Sequence, residues 1–278
     1  MKIIAESSST RTEWALVDGE RIVEHAFTTG INPFVQSRRE ISHCIRLELG
    51  EAFFRRRWDH VYFYGAGCSS QEKRKIIESS LVAQFKTPVT VESDLLGAAR
   101  GLLVRSPGIV CILGTGSNSC LYNGEEIVKT VPPLGYILGD EGSGAYMGKL
   151  LIADVIRGLA PEEISRAFMD KFMVSANALM DRVYTNPLPS RTLAQYATFL
   201  AEHLDNEYAR NLVYNAFLAF FRRNIAAYDY QGQSLNFVGS TGVLFKDILV
   251  QAAADFGVGV SKTIRYSMPG LVEYHAAD

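Results

Sequence analysis

Paired cysteines, an excess of charge and long apolar runs are all missing from this chain, and each absence closes off a class of function. The four cysteines, Cys44, Cys68, Cys111 and Cys120, form no CxxC pair and no metal-ligand spacing. Cys111 and Cys120 sit in apolar, strand-like runs, where a cysteine serves as a small core hydrophobe. A net charge of −2 gives no broad basic field, so no nucleic-acid partner is expected. The short run Arg55-Arg56-Arg57 reads as a solvated helix end. No apolar stretch approaches a membrane span, and Met1–Ala5 meets Glu6 too early for the apolar region of a signal peptide. The expected setting is cytoplasmic. A Walker A loop is absent too, since GxxxxGK[ST] occurs nowhere.

What remains is an ordinary globular balance, 47% hydrophobic and 21% charged over 278 residues, enough for two modest lobes. The first third reads as strand-rich: Lys2–Ala5, Glu13–Val17 and Arg21–Phe27, with Asp18-Gly19 as a hairpin turn. Residues 34–57 carry helical spacing. A strand at His60–Tyr64, a helix over 70–86, a strand at Val89–Val91 and a helix from Leu95 to Val104 follow. A second unit then repeats the opening, with strands at Ile109–Leu113, Ser119–Tyr122 and Glu126–Val131. Gly19 and Gly124, 105 residues apart, close the matched turns Asp18-Gly19-Glu20-Arg21-Ile22-Val23 and Asn123-Gly124-Glu125-Glu126-Ile127-Val128. The repetition predicts two related lobes with a cleft between them. Residues 141–229 read as mainly helical, with Ala160-Pro161-Glu162-Glu163 as a helix start and helices near 191–203 and 206–228. Leu235–Val238 reads as a strand, 239–242 as a turn, Val243–Phe256 as a helix, Val258–Arg265 as a last strand and 269–276 as a short terminal helix.

Five places have the chemistry to hold an anion or move a proton. Gly114-Thr115-Gly116-Ser117-Asn118 follows a buried strand, and its small residues let backbone N–H groups approach an anion; alone, it is equally a tight β-turn. Ser7, Ser8, Ser9, Thr10 and Thr12 stand behind Glu6, offering donors to a nucleotide phosphate beside an acid suited to a magnesium ion held directly or through water; alone, the stretch reads as a polar hairpin loop with a solvated acid. Gly139-Asp140-Glu141-Gly142-Ser143-Gly144 opens a long helix, where either Asp140 or Ser143 is a cap. Gly239–Gly242 is a strand-to-helix turn of the same kind. Asp94 precedes a helix and is either its cap or a carboxylate able to take a proton from an attacking hydroxyl.

The order and spacing of these elements resemble the N-acetylglucosamine kinases and the related benzoyl-CoA-reductase-activating ATPases of the sugar kinase, Hsp70 and actin superfamily. The resemblance spans nearly the whole chain. It rests most on GTGSNS at 114–119 and LGDEGSGAYMG at 138–148, with Gly30-Ile31-Asn32-Pro33, Gly65-Ala66-Gly67, Glu92-Ser93-Asp94 leading into Gly97-Ala98-Ala99-Arg100, and Val238-Gly239-Ser240 in support. It implies an α/β fold of two ribonuclease H-like lobes (the actin-like ATPase fold), the second helix-rich, with ATP and sugar in the cleft. Residues 1–106 would form the first lobe and 107–268 the second, with the tail 269–278 packing back on the first. By resemblance, Ser8, Ser9, Thr10, Arg11, Gly114, Thr115, Gly116 and Ser117 would hold phosphate, and Gly239 and Ser240 adenosine. Asn32, Asn118, Gly139 and Asp140 would hold the sugar, Glu6 the Mg²⁺, and Asp94 would be the general base. A homodimer is the implied assembly.

One departure stands out. The family's first loop reads Asp-x-Gly-x-Thr, whereas here it is Glu6-Ser7-Ser8-Ser9-Thr10 with Arg11 where lysine is common. Glutamate displaces anything it holds by a methylene, and Ser8 adds a Cβ where left-handed backbone is expected. The expected activity is ATP-dependent phosphorylation of an amino sugar, N-acetylglucosamine or glucosamine first. The alternatives are a sugar- or nucleotide-binding sensor with attenuated turnover, or an ATPase that activates a redox partner, for which only Cys68 beside Gly67 speaks.

Overall fold

The computed structural model describes residues 1–8, 10–55 and 57–276. Contacts divide the chain into two compact units. One comprises Met1–Pro107, Tyr122–Val128 and Tyr266–Asp278; the other comprises Gly108–Leu121 and Lys129–Arg265.

The first unit is built on a five-stranded sheet. β1 (Lys2–Ser7) pairs antiparallel with β2 (Arg11–Asp18), which turns through Asp18-Gly19 into β3 (Arg21–Thr29). Gly19 takes φ +60, the left-handed geometry that the turn requires. Helix α1 (Arg38–Glu48) is shorter than its periodic pattern. The turn at Asn32-Pro33 and a Ser37/Glu40 capping box fix its start, and only a short 3-10 turn at Glu51–Phe54 follows. Arg55 lies beyond that turn, and Arg56 falls outside the described residues. β4 (Val61–Gly65), α2 (Gln71–Phe85), β5 (Val89–Ser93) and α3 (Asp94–Leu103) complete the βαβ half, giving the order β3-β2-β1-β4-β5.

The second five-stranded sheet, built mostly from the second unit, repeats that plan. Its strands β6 (Gly108–Leu113), β7 (Ser117–Tyr122) and β8 (Ile127–Thr130) turn at Asn123-Gly124, with Gly124 at φ +105. Seven helices follow: α4 (Gly135–Leu138), α5 (Gly144–Arg157), α6 (Glu162–Phe172), α7 (Ala176–Thr185), α8 (Pro189–Gln195), α9 (Ala197–Ala201) and α10 (Glu207–Arg223). β9 (Ser234–Val238), α11 (Ser240–Leu244), α12 (Lys246–Phe256) and β10 (Gly259–Ile264) finish the unit. The order β8-β7-β6-β9-β10 matches β3-β2-β1-β4-β5 strand for strand, so the duplicated hairpin does mark a duplicated sheet. Three local readings are corrected. The expected helix over 191–203 is two short ones, the 206–228 helix ends at Arg223, and helix begins at Ser240 where a turn through Gly242 was expected. α4 lies outside the expected helices, and α7 falls within the stretch read as mainly helical. An aromatic core of Phe168, Phe199, Phe217, Phe220, Phe221 and Phe237 is fully buried among these helices, and Cys111 is buried with it. Cys120 is fully buried as well.

The chain ends in α13 (Met268–Ala276), part of the first unit. Strand alternation sorts the side chains of β1. Ile3 and Ala5 enter the core that includes Ile41, Ile45, Ile77 and Leu81 of α1 and α2, whereas Ile4 packs with Tyr64 and with Met268, Leu271 and Val272 of α13. Both faces of the sheet are thus covered, and α13 closes the second one.

Candidate active site

Two aspartates are left available because neighbouring serines take over the capping of their helices. At the start of α3, Ser93 Oγ accepts the Leu96 N–H at 3.2 Å and is the cap. Asp94 is therefore the first helical residue; its Oδ1 accepts only the adjacent Leu95 N–H at 2.9 Å. The carboxyl is half-buried, and desolvation raises its pKa from 3.8 to about 6 against the lowering effect of those backbone N–H groups. That value suits a group that must be ionised near neutrality and still basic enough to accept a proton.

The same division of labour recurs at α5. Ser143 Oγ accepts the Tyr146 N–H at 3.1 Å and caps the helix. Asp140, in left-handed backbone at φ +57, turns its carboxylate to the Gly116-Ser117 loop and accepts the Ser117 N–H at 3.2 Å. Burial raises its pKa, opposed by that N–H and by Lys149. Asp140→Ala is expected to cost about 1–2 kcal/mol, because it strands the Ser117 N–H and puts a Cβ without a polar side chain at positive φ. Asp140→Asn keeps both the acceptor and the tolerance for that backbone, and should melt within about 0.5 kcal/mol of wild type. Thermal denaturation of the pair checks this.

The loop at 114–116 is pinned from behind. Gly114 O accepts the Gly144 N–H at 2.9 Å and the Thr241 hydroxyl at 2.8 Å, and Thr115 O accepts the Ala145 N–H at 3.1 Å. Its carbonyls are thereby taken up. Among the described residues, the N–H groups of Thr115 and Gly116 have no acceptor, which is the polarity an anion needs. Gly116 is required, since a Cβ there would meet Asp140 Oδ2 at 2.9 Å. Asn118 lies in β7, its Oδ1 on the Ser119 N–H at 2.9 Å, so its amide nitrogen is the group left to donate. Gly139 is buried beside Asp140. Gly239 has φ +126, and a Cβ there would sit 2.3 Å from Leu113 O; Ser240 beside it is exposed. That bare backbone is a surface on which a flat ring can rest.

In the first unit, Asn32 Oδ1 accepts the Phe34 N–H at 2.9 Å, leaving its amide nitrogen as a donor without a partner among the described residues. Gly67 at φ +79 leaves the space for it, because a Cβ would meet Asn32 Oδ1 at 2.4 Å. The loop after β1 departs from expectation. Ser8 is not in the left-handed region, so its Cβ carries no backbone strain. Its hydroxyl instead serves its own turn, accepting the Thr10 and Arg11 N–H groups at 3.3 Å and donating to Arg11 O at 3.2 Å. Thr10 is exposed, and Ser9 lies outside the described residues. The Arg11 guanidinium lies between two rings, 4.2 Å from the centroid of Phe27 and 4.8 Å from that of Tyr266.

Glu6 stands opposite Glu13 in the β1–β2 register. Burial raises its pKa from 4.5 to about 7; Ser267 pulls it down through hydroxyl and N–H, and the Glu13 and Asp94 carboxylates push it up. No group of three or more acidic, His or Cys side chains is arranged to hold a metal among the described residues. Cys68, by contrast, is buried against Gly65 with its thiol pushed up to about 12, and acts as core.

Against solved structures, the chain superposes on a protein of Porphyromonas gingivalis provisionally named an N-acetylglucosamine kinase. The TM-score is 0.94 and the identity 38%, covering 100% of this chain and 99% of that one. A protein of the same provisional name from Chromobacterium violaceum gives 0.75 at 18% identity, covering 98% of each chain. A ROK family glucokinase from Streptomyces griseus, solved with glucose and AMPPNP, gives 0.56 at 14%, covering 98% of this chain and 97% of that one. The last two establish the fold alone. Scanned against protein-family models and against curated proteins, the chain matches none. Two duplicated sheets with matching strand order, and 38% identity along the full length, place this chain in the N-acetylglucosamine kinase-like family of the sugar kinase and actin-like ATPase superfamily.

Proposed function

We propose that this protein transfers the γ-phosphate of ATP to a hydroxyl of an amino sugar, N-acetylglucosamine being the first candidate and glucosamine the next. The observation that carries the reading is Asp94. It is a carboxyl relieved of helix capping by Ser93, poised near neutral pH, and it stands in the general-base position that the family resemblance assigns. Asp94 takes the proton of the attacking hydroxyl as the O–P bond forms, and ADP leaves with the negative charge of the broken bond.

In the second unit the unpaired N–H groups of Thr115 and Gly116, with the Ser117 hydroxyl, are assigned to phosphate oxygens; in the first unit Ser8, Thr10 and Arg11 are assigned to phosphate, as is Ser9, outside the described residues. Gly239 and Ser240 support adenosine. Asn32 and Asn118 each present an amide nitrogen to sugar oxygens, and Asp140, beside Gly139, accepts from a sugar hydroxyl. Magnesium, held by Glu6 directly or through water, would neutralise phosphate charge. Positioning and charge neutralisation account for most of such catalysis. The setting we assign is cytoplasmic and the assembly a homodimer; no helix among the described residues is long and apolar enough to cross a membrane.

The direct test is ADP release with ATP and Mg²⁺ across amino sugars and hexoses, with mass spectrometry of the acceptor. A phosphorylated amino sugar is the expected product; a panel in which no sugar gains phosphate would remove the kinase reading. One observation favours a second reading, a sensor that binds without turnover: Ser8 spends its hydroxyl on its own turn instead of offering it to phosphate. Calorimetric binding of sugar and nucleotide without ADP release would select it.

A further inference from the structure

The two unusual side chains of the first loop, Glu6 and Arg11, are met by two consecutive residues from the other end of the chain. Ser267 is fully buried immediately before α13 and close enough to the Glu6 carboxyl to oppose the rise of its pKa. Its hydroxyl completes no hydrogen bond with a described residue. Tyr266, the preceding residue, lays its ring 4.8 Å from the Arg11 guanidinium carbon, with Phe27 at 4.2 Å on the same group. Glu13 faces both side chains, opposite Glu6 in the sheet and with Oε2 3.9 Å from Arg11. A Cβ on Gly101 of α3 would lie 2.3 Å from Ser267 Cβ and 2.6 Å from Ser267 O, so Ser267 packs against α3 at near-minimal separation.

We infer that Tyr266 and Ser267 are positioning residues for the nucleotide's phosphates and their magnesium, through which the C-terminal helix sets the Glu6 carboxyl and the Arg11 guanidinium. The inference rests on the kinase reading of the first loop and deepens it. The longer Glu6 and the bulkier Arg11 would each roam more than the residues common in the family. A buried hydroxyl and an aromatic face restrict one each, and because the two restraints are adjacent in sequence, they move together with α13. Neither residue touches the sugar or the reacting atoms in this scheme, so their loss is read in nucleotide handling and not in sugar affinity.

The test is calorimetry of the full chain with the magnesium complex of a non-hydrolysable ATP analogue, alongside KM for ATP and for sugar. Tyr266→Ala is expected to weaken nucleotide binding about 3- to 10-fold, and Tyr266→Phe to stay within about twofold, since the ring alone supplies the platform. Ser267→Ala, close to volume-conserving, should weaken it by about fivefold. The KM for sugar should stay within about twofold in all three. Wild-type binding with no loss in Tyr266→Ala or Ser267→Ala overturns the inference and leaves the kinase reading standing. A Tyr266→Phe variant as weak as Tyr266→Ala overturns the role of the ring. Failure of the wild type itself to bind nucleotide overturns the kinase reading and this inference with it.

Discussion

Asp94→Asn is expected to slow sugar phosphorylation by about 10²- to 10⁴-fold while leaving the protein more stable than wild type at neutral pH. The loss follows from removing the carboxyl to which the proposal gives the hydroxyl proton. The gain follows from the same burial that tunes it. Asparagine keeps the oxygen that accepts the Leu95 N–H, and Ser93 keeps the cap, so no structural bond is given up. The folded pKa of about 6 lies above the ordinary 3.8. A carboxyl raised in this way contributes its stability fully below pH about 4 and loses it as pH rises through about 6; above that, ionised Asp94 costs on the order of 1–3 kcal/mol. The variant should therefore melt higher than wild type at pH 8 and without that advantage at pH 4. In turnover the sign is opposite: wild-type rate should climb with pH through about 6 as Asp94 ionises, and the variant's residual rate should lack that limb. Retention of turnover within tenfold, or a lower melting point at pH 8, would contradict the assignment.

The turns at Asp18-Gly19 and Asn123-Gly124 could be read from sequence because turn chemistry is local, and from them came the duplicated sheet. Asp94, Asp140, the 114–118 loop and Gly239 were also visible as polar or glycine positions at strand ends. Which of two good caps does the capping was not visible: Ser93 and Asp94, or Asp140 and Ser143, compete on equal local terms, and the tertiary setting decides. In the first case β5 runs in register with β4 up to Ser93 opposite Gly65, and helix starts at the next residue. Within the stretch read as mainly helical, the start of α7 was left unassigned although Ser175, which accepts the Ala178 N–H, was a usable signal. The role of Tyr266 and Ser267 had no local signature at all. Alternation puts Glu6 on the Ile4 face of β1, but only the docking of α13 shows what covers that face.

Gly270→Ala is expected to destabilise the protein by about 3 kcal/mol or more, against the intrinsic preference of helices for alanine. Gly270 lies inside α13, where exchange of glycine for alanine in an open helix gains about 1 kcal/mol. Here the new Cβ would lie 1.9 Å from Gly101 O, 2.7 Å from Gly101 C and 3.0 Å from its Cα, all backbone atoms of α3 that no rotamer change can move. The helices must part by more than an ångström. That separation loosens Met268, Leu271 and Val272 from Ile4, Ala15, Val17 and Tyr64, and strains the Tyr64 hydroxyl, which lies 2.8 Å from His275 Nε2 and accepts from Arg100 at 3.0 Å. Gly50→Ala, with open space around its Cβ and no positive φ, is the matched control and should unfold with wild type in urea. Gly101→Ala presses on the same contact from α3, so its effect combined with Gly270→Ala should be less than additive, because helices already parted by one methyl have room for the other. A Gly270→Ala variant as stable as wild type would mean that α13 is not held at this distance. The restraint that the two residues before it place on Glu6 and Arg11 would then lose its physical basis.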